Sequence, residues 1–145
     1  MSTIEHTEEV KVPLRVAYDQ WTRFESFPRF MEGVESVERL GGTRTAWVAE
    51  IAGVRREFEA EITERRPDEC VAWRSVGGPH HAGTVTFHRI DDDRTRVTLR
   101  MEYDPEGFVE AAADWLHLVR MRVVGDLKRF KTFIESCGNK TGSQE

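Results

Sequence analysis

One arginine interrupts the apolar stripe of a long predicted helix. Between residues 108 and 135, apolar side chains recur at steps of three and four, at Val109, Ala112, Leu116, Val119, Val123, Leu127, Phe130 and Ile134. At about 100° per residue this spacing predicts a helix with one buried face, and Arg120 falls about 40° from the centre of that face. Because an unpaired guanidinium is costly to bury, Arg120 is a candidate anchor for a ligand carboxylate, phenolate or carbonyl. The alternatives are an internal salt bridge to Glu8, or a side chain that extends from the groove into solvent.

Tyr103 and Met101 end the inward-facing row of the last predicted strand. A tyrosine at the end of a strand can offer its hydroxyl to a ligand while its ring packs, which makes Tyr103 a weak catalytic candidate. The alternative is a core residue whose hydroxyl is satisfied within the protein.

Two adjacent histidines, His80 and His81, stand in the predicted loop 77–83. Histidine exchanges protons near neutral pH, so His81 is a weak candidate for an acid–base group at an entrance. Adjacent histidines rarely both reach one ion, and no Cys or third His lies at ligand spacing, so no metal site is predicted. A solvated loop is the alternative.

Other motifs that carry chemistry are absent from the sequence. There is no nucleophile elbow, no phosphate-binding glycine loop and no dinucleotide fingerprint, so we expect no cofactor. Cys70 and Cys137 lie far apart without a CxxC or CxxH partner, and both are predicted to be reduced thiols.

The composition limits the class of partner. A net charge of -5 argues against a nucleic-acid binder, which normally carries a basic excess. No apolar run approaches the roughly 20 residues of a membrane span, and the first ten residues are polar and acidic, unlike a signal peptide. We therefore expect a cytoplasmic protein with no integral membrane segment, either a monomer or a homodimer.

The segments around the candidate residues predict one domain, residues 1–137, followed by a flexible tail, residues 138–145. Turn residues separate seven predicted strands, at 3–12, 34–40, 44–51, 54–65, 70–76, 83–90 and 95–103. Two short helices follow the first strand, one over residues 14–24 and one that Ser26 caps and that runs through Met31.

The strands alternate apolar and charged residues, which is typical of an antiparallel sheet with one covered face. Seven strands at about 4.8 Å are nearly three times as wide as one helix, so the sheet has to curl around the helix and can leave a cavity between them. Besides Arg120 and Tyr103, the side chains predicted to line this cavity are Trp47, Phe58, Trp73, Phe87, Leu99, Met101 and Leu116.

Five segments of the sequence are those of a known family: VAYDQW at 16–21, FPRFMEGV at 27–34, WVAEI at 47–51, WRS at 73–75 and GTVTF at 83–87. In these segments the chain resembles the START/Bet v 1-like (SRPBCC) superfamily, and specifically its bacterial polyketide cyclase/dehydrase branch. This resemblance implies an α+β helix-grip fold, in which a curved seven-stranded antiparallel sheet wraps around a long C-terminal helix, with two short helices after strand 1. The cavity mouth would lie near Gly33 and residues 52–53, 77–83 and 104–108.

Members of this superfamily bind apolar or aromatic molecules such as lipids, quinones, polyketides and plant hormones, and some catalyse cyclisation or dehydration. The catalytic residues of aromatic polyketide cyclases do not map onto a shared motif here. Three functions remain open: a carrier or sensor of a small hydrophobic ligand, a polyketide cyclase/dehydratase-like enzyme, and a protein- or membrane-surface interaction module. The third would use basic residues of the last helix, namely Arg120, Arg122, Lys128, Arg129 and Lys131.

Overall fold

The computed structural model describes residues 2–31, 33–51, 54–76, 81–103 and 115–144, with side chains for all of these except 2, 51, 54, 115–118 and 137–144. Its strands form one antiparallel sheet in the spatial order β1-β7-β6-β5-β4-β3-β2. Their bounds are β1 Ser2–Val10, β2 Val34–Gly41, β3 Arg44–Ile51, β4 Val54–Arg66, β5 Cys70–Val76, β6 His81–Asp91 and β7 Arg94–Tyr103. The predicted curved seven-stranded sheet is confirmed.

The sheet order follows from the connections along the chain. Strands β2 to β7 follow one another directly and each pairs with the next, so they form an antiparallel meander. Gly41 and Gly42 make the first turn, with φ of 119° and 56°, values that favour glycine. Only β1 is separated from its sheet neighbour β7 by the rest of the fold.

Two short helical segments connect β1 to β2. Helix α1 spans Leu14–Trp21, and a 3-10 helix spans Phe24–Arg29. Ser26 was expected to cap the second helix, but it lies inside that helix, where its hydroxyl donates to the Arg23 carbonyl and accepts from Gln20 Nε2. The second segment is a 3-10 helix that starts at Phe24, two residues before the predicted cap.

Helix α2 spans Trp115–Gln144, about 45 Å of helix. Its predicted start near residue 108 lies outside the described residues. At the other end, the backbone of residues 138–144 continues the helix where the sequence indicated a flexible tail. Gly138 and Gly142 each cost roughly 1 kcal/mol in a helix without preventing it, and no proline follows Glu135. The mobility of this tail stays a prediction.

The core fills one half of the space between the sheet and α2. Trp21, Phe30 and Phe130 pack with ring centroids 4.9–5.6 Å apart, so the two short helices close this half against the C-terminal part of α2. These three side chains are at most 1% exposed. Towards the N-terminal part of α2 the filling is incomplete, and a cavity remains.

Candidate functional site

The cavity has a volume of about 90 Å³ and lies between the inner face of the sheet and helix α2. Strands β3 to β7, helix α2 and the residues Met31, Gly33 and Val34 provide its lining. Apolar and aromatic side chains make up most of it, and a few polar groups complete it. This combination is typical of sites for small organic molecules.

Three stacked aromatic side chains, Trp47, Phe58 and Trp73, form one side, called here the aromatic wall. The Trp47 ring stacks on Phe58 at 5.8 Å with 15° between the planes, and on Trp73 at 6.4 Å with 20°. Trp47 and Phe58 are direct cross-strand partners, and the Trp47 indole donates to the Thr45 hydroxyl at 2.7 Å. The wall is therefore fixed by both strand register and hydrogen bonding.

Five polar side chains line the cavity. His81, Tyr103, Arg122 and Asp126 are called here its polar end, and the fifth, Glu50, is exposed. His81 and Tyr103 are cross-strand partners whose rings stack at 6.2 Å. The His81 and Phe58 rings also form a T-shaped pair with centroids 4.5 Å apart, which links the polar end to the aromatic wall. On the backbone, the His81 N–H donates to the Ser75 hydroxyl at 3.1 Å.

Asp126 and Arg122 bring opposite charges from α2 to the polar end. Asp126 is 9% exposed and pairs with Arg129, whose Nε also donates to the Phe30 carbonyl at 3.1 Å. Arg122 packs beside Gly33, where a β-carbon would lie 3.3 Å from the Arg122 Nε. The absence of a side chain at Gly33 thus makes room for this guanidinium.

Burial raises the pKa of Tyr103 well above its usual value, and the nearby Asp126 carboxylate raises it further. The phenol is therefore protonated at neutral pH and can donate a hydrogen bond to a ligand oxygen. Together, Tyr103 and Arg122 give the polar end two kinds of donor.

Seven side chains singled out from the sequence line the cavity: Trp47, Phe58, Trp73, His81, Leu99, Met101 and Tyr103. Their roles in binding or catalysis stay predictions. His81 was also weighed as a solvated loop residue, but it begins β6 and is only 5% exposed. Strand β6 starts two residues earlier than predicted, and the two-residue period of a strand puts His81 on the same inner face as Gly83.

The predicted position of Arg120 in the buried stripe is wrong. The described buried residues of α2 are Val119, Val123, Asp126, Leu127, Phe130 and Ile134. Arg120 follows Val119 by one residue, about 100° around the helix, and its side chain is exposed and does not line the cavity. Glu8, its suggested partner, instead contacts His6 at 2.6 Å.

Sequence reasoning missed Arg122 and Asp126 as cavity residues. Asp126 lies three residues after Val123 and four before Phe130, so the same helical spacing that identified the stripe would have included it. It was assigned to the solvated face because of its charge. Arg122 had no comparable signal, since it lies at the margin of the stripe.

Phe87 does not line the cavity, although it was predicted to. It is six residues from His81 along β6, or about 20 Å, and packs edge-on against Tyr18 in the closed half of the fold. The Leu116 side chain lies outside the described residues.

In the described part of the chain, no group of three His, Cys, Asp or Glu side chains is placed to hold a metal ion. Cys70 is a buried free thiol that donates to Glu64 at 3.1 Å, and burial, more than this bond, raises its pKa. The Cys137 side chain is outside the described region. Among the described helices, none combines the length and apolarity of a membrane span.

Comparisons with known proteins agree with this architecture. Residues 10–133 match the family model described as polyketide cyclase/dehydrase and lipid transport. A Streptomyces lincolnensis protein, known as an uncharacterized 17.2 kDa protein in the melC2-rnhH intergenic region, is 52% identical over 143 residues, covering 98% of this chain and 95% of its own length.

Two solved structures show the same fold at low sequence identity. The Zhui aromatase/cyclase from a Streptomyces species superimposes with a TM-score of 0.77 at 18% identity, covering 92% of this chain and 93% of its own. A START superfamily protein from Mycobacterium smegmatis superimposes with a TM-score of 0.75 at 11% identity, covering 96% and 98%. With its matching family model and helix-grip architecture, this chain belongs to the polyketide cyclase/dehydrase and lipid transport family of the START/Bet v 1-like (SRPBCC) superfamily.

Proposed function

We propose that the chain binds a small apolar or aromatic molecule, such as a lipid, quinone or polyketide-like compound, in the cavity between the sheet and α2. The observation that carries this proposal is that the aromatic wall and the polar end line the same cavity. A planar ring would pack against the aromatic wall, and its oxygen substituent would accept hydrogen bonds from Tyr103 or Arg122.

The charges around the polar end favour a neutral oxygen over a carboxylate. Arg122 and Asp126 line the cavity with opposite charges, and Arg129, which pairs with Asp126, and the exposed Glu50 add one charge of each sign beside them. An ionised ligand would add a charge that these four groups do not balance, in a space where burial of charge is costly. A hydroxyl or carbonyl oxygen needs only a donor, which the protonated Tyr103 offers.

The size of the cavity sets a second condition. An engineered cavity of about 150 Å³ holds benzene, so a space of about 90 Å³ is short of a full aromatic ring. Met31 and Met101 line the cavity, and methionine has three rotatable bonds that let it change shape at low cost. Ligand entry would therefore displace these side chains while the stacked aromatic wall stays in place.

Catalysis of a cyclase or dehydratase reaction is the second candidate, favoured by the buried His81 beside Tyr103. In such a reaction the His81 imidazole would remove a proton next to a ligand carbonyl, Tyr103 and Arg122 would stabilise the enolate oxygen, and a β-hydroxyl would leave with a proton as water. A His81→Gln variant that loses turnover but still binds the ligand would support this step.

The interaction-module alternative has less support from α2. Lys131 donates to the Glu9 carbonyl and pairs with Glu135, Arg129 pairs with Asp126, and Arg122 lines the cavity. Three of the five basic residues are thus engaged with the protein itself. A cytoplasmic location and a monomeric or homodimeric state stay predictions.

Native mass spectrometry of the protein from its own host, followed by titration with matched probes, tests the binding proposal. We expect a bound small molecule at near one-to-one ratio. After its removal, tryptophan fluorescence should report tighter binding of 2-naphthol than of naphthalene, which lacks the oxygen, or 2-naphthoate, which adds a charge. Bare protein that binds none of the three compounds would overturn the proposal.

A further inference from the structure

We propose that Gly83 is a positioning residue that sets the size of ring the cavity accepts, because the Trp73 indole lies in the space that a side chain at position 83 would occupy. This inference rests on the proposed binding function. It concerns a residue that makes no side-chain contact of its own.

Trp73, Gly83 and Met101 form one row across three neighbouring strands. Gly83 of β6 is the direct cross-strand partner of Trp73 on β5 and of Met101 on β7. A β-carbon built on Gly83 would lie 2.4 Å from Cζ2 and 2.6 Å from Cε2 of Trp73, and 2.9 Å from the Met101 sulfur. Real β-carbons do not approach other atoms so closely, so the indole occupies the place of a side chain at position 83.

The backbone does not require glycine at this position. The positive-φ glycines of the described chain are Gly41 and Gly42, whereas Gly83 is paired on both sides as an ordinary strand residue. Glycine in a strand interior is unfavourable and marks a close approach by another group. Here that group is the benzo ring of Trp73.

A side chain at position 83 would lift the indole into the cavity. The two nearest contacting atoms belong to the rigid ring of Trp73 and cannot move aside as the flexible Met101 side chain could. The indole also stacks on Trp47, which is itself held by its hydrogen bond to Thr45. Because the cavity is only about 90 Å³, a lifted indole would exclude large rings before small ones.

The test is a size-selectivity ratio, the dissociation constant of phenol divided by that of 2-naphthol, measured by titration calorimetry. In Gly83→Ala we expect this ratio to fall at least about tenfold. Trp73→Phe replaces the two-ring indole with a smaller single ring, so that variant should raise the ratio. The double variant Gly83→Ala/Trp73→Phe should return it to within about threefold of wild type, a rescue that general destabilisation would not produce.

Ala82→Gly is the matched control, because Ala82 is the neighbour of Gly83 on the opposite face of β6. It exchanges the same two residue types without touching the cavity, and should leave the ratio unchanged. An unchanged ratio in folded Gly83→Ala would overturn the inference alone. If that variant does not fold, an unchanged ratio in Trp73→Phe would overturn it instead. Failure of the wild type to bind either probe would overturn the proposed function, and this inference with it.

Discussion

Asp126 and Arg129 form an ion pair whose two side chains are buried to different extents. We therefore expect substitutions of the two residues to destabilise the fold by different amounts. The Asp126 side chain is 12% exposed and that of Arg129 is 39% exposed. In Asp126→Asn, the amide keeps an acceptor of similar size, and Arg129 keeps both the Phe30 carbonyl and access to water. We expect this variant to lose about 1 kcal/mol of unfolding free energy, near the upper limit for exposed ion pairs.

Arg129→Met should cost more, because it leaves the buried Asp126 carboxylate without this partner and removes the bond to Phe30. Breaking a fully buried pair costs about 3–5 kcal/mol, and the partial exposure of Arg129 places this case near the lower limit, at about 3 kcal/mol. For a domain of this size, the two losses correspond to decreases in melting temperature of about 3 °C and about 9 °C. The double variant should be more stable than Arg129→Met alone, since it contains no buried carboxylate at position 126.

Urea denaturation monitored by circular dichroism measures all three variants on one scale. Arg89→Met is the control, since Arg89 and its partner Asp92 are 62% and 84% exposed and their pair should contribute nothing measurable. A loss in Asp126→Asn equal to or greater than that in Arg129→Met would refute the reasoning, because the carboxylate would then not be the costly half of the pair.

Three further predictions concern the cavity and its surroundings. Arg122→Met should weaken 2-naphthol binding about tenfold, the effect of losing about 1.4 kcal/mol from a charge-assisted hydrogen bond. Arg120→Met should bind 2-naphthol as wild type does. Equal effects of the two substitutions in calorimetry would contradict the assignment of Arg122, and not Arg120, to the cavity. Burial raises the pKa of both tyrosines, Tyr18 and Tyr103, so absorbance at 295 nm should show both ionising above pH 10. Because the unfolded chain loses these protons first, the tyrosine contribution to the unfolding free energy, measured as the difference between wild type and Tyr103→Phe, should be constant between pH 7 and about pH 10 and fall above it, and a difference that falls at lower pH would contradict this. Phe87→Leu should destabilise the fold by about 1 kcal/mol and leave 2-naphthol affinity unchanged, which the same denaturation and calorimetry check.

Much of the fold was predictable from the sequence because strand parity is a strong signal. Alternation over residues 95–103 and the Gly41-Gly42 turn are local features, and the width of seven strands against one helix required a curved sheet. The same parity placed Trp47, Phe58 and Trp73 on the inner face. Predicting the position of these residues required no knowledge of the tertiary structure beyond which face of the sheet is covered.

The polar end was harder to predict. Which of its side chains face the cavity depends on the rotation of a helix by one residue and on where a strand begins. One residue of rotation on a helix separates the buried Val119 from the exposed Arg120, and the apolar pattern tolerates that error. Asp126 is buried because Arg129 pairs with it, and hydrophobic periodicity does not register such pairing. Gly83 was predicted only as the first residue of a strand. Its contact with the Trp73 indole was missed, because Trp73 belongs to a neighbouring strand.

A crystal structure of the protein with 2-naphthol tests the central claim most directly. We predict the naphthalene ring against Trp47 and Trp73, its hydroxyl within hydrogen-bond distance of Tyr103 or Arg122, and the Met101 side chain displaced. A cavity closed by protein side chains, with the compound absent or bound elsewhere on the surface, would contradict the account.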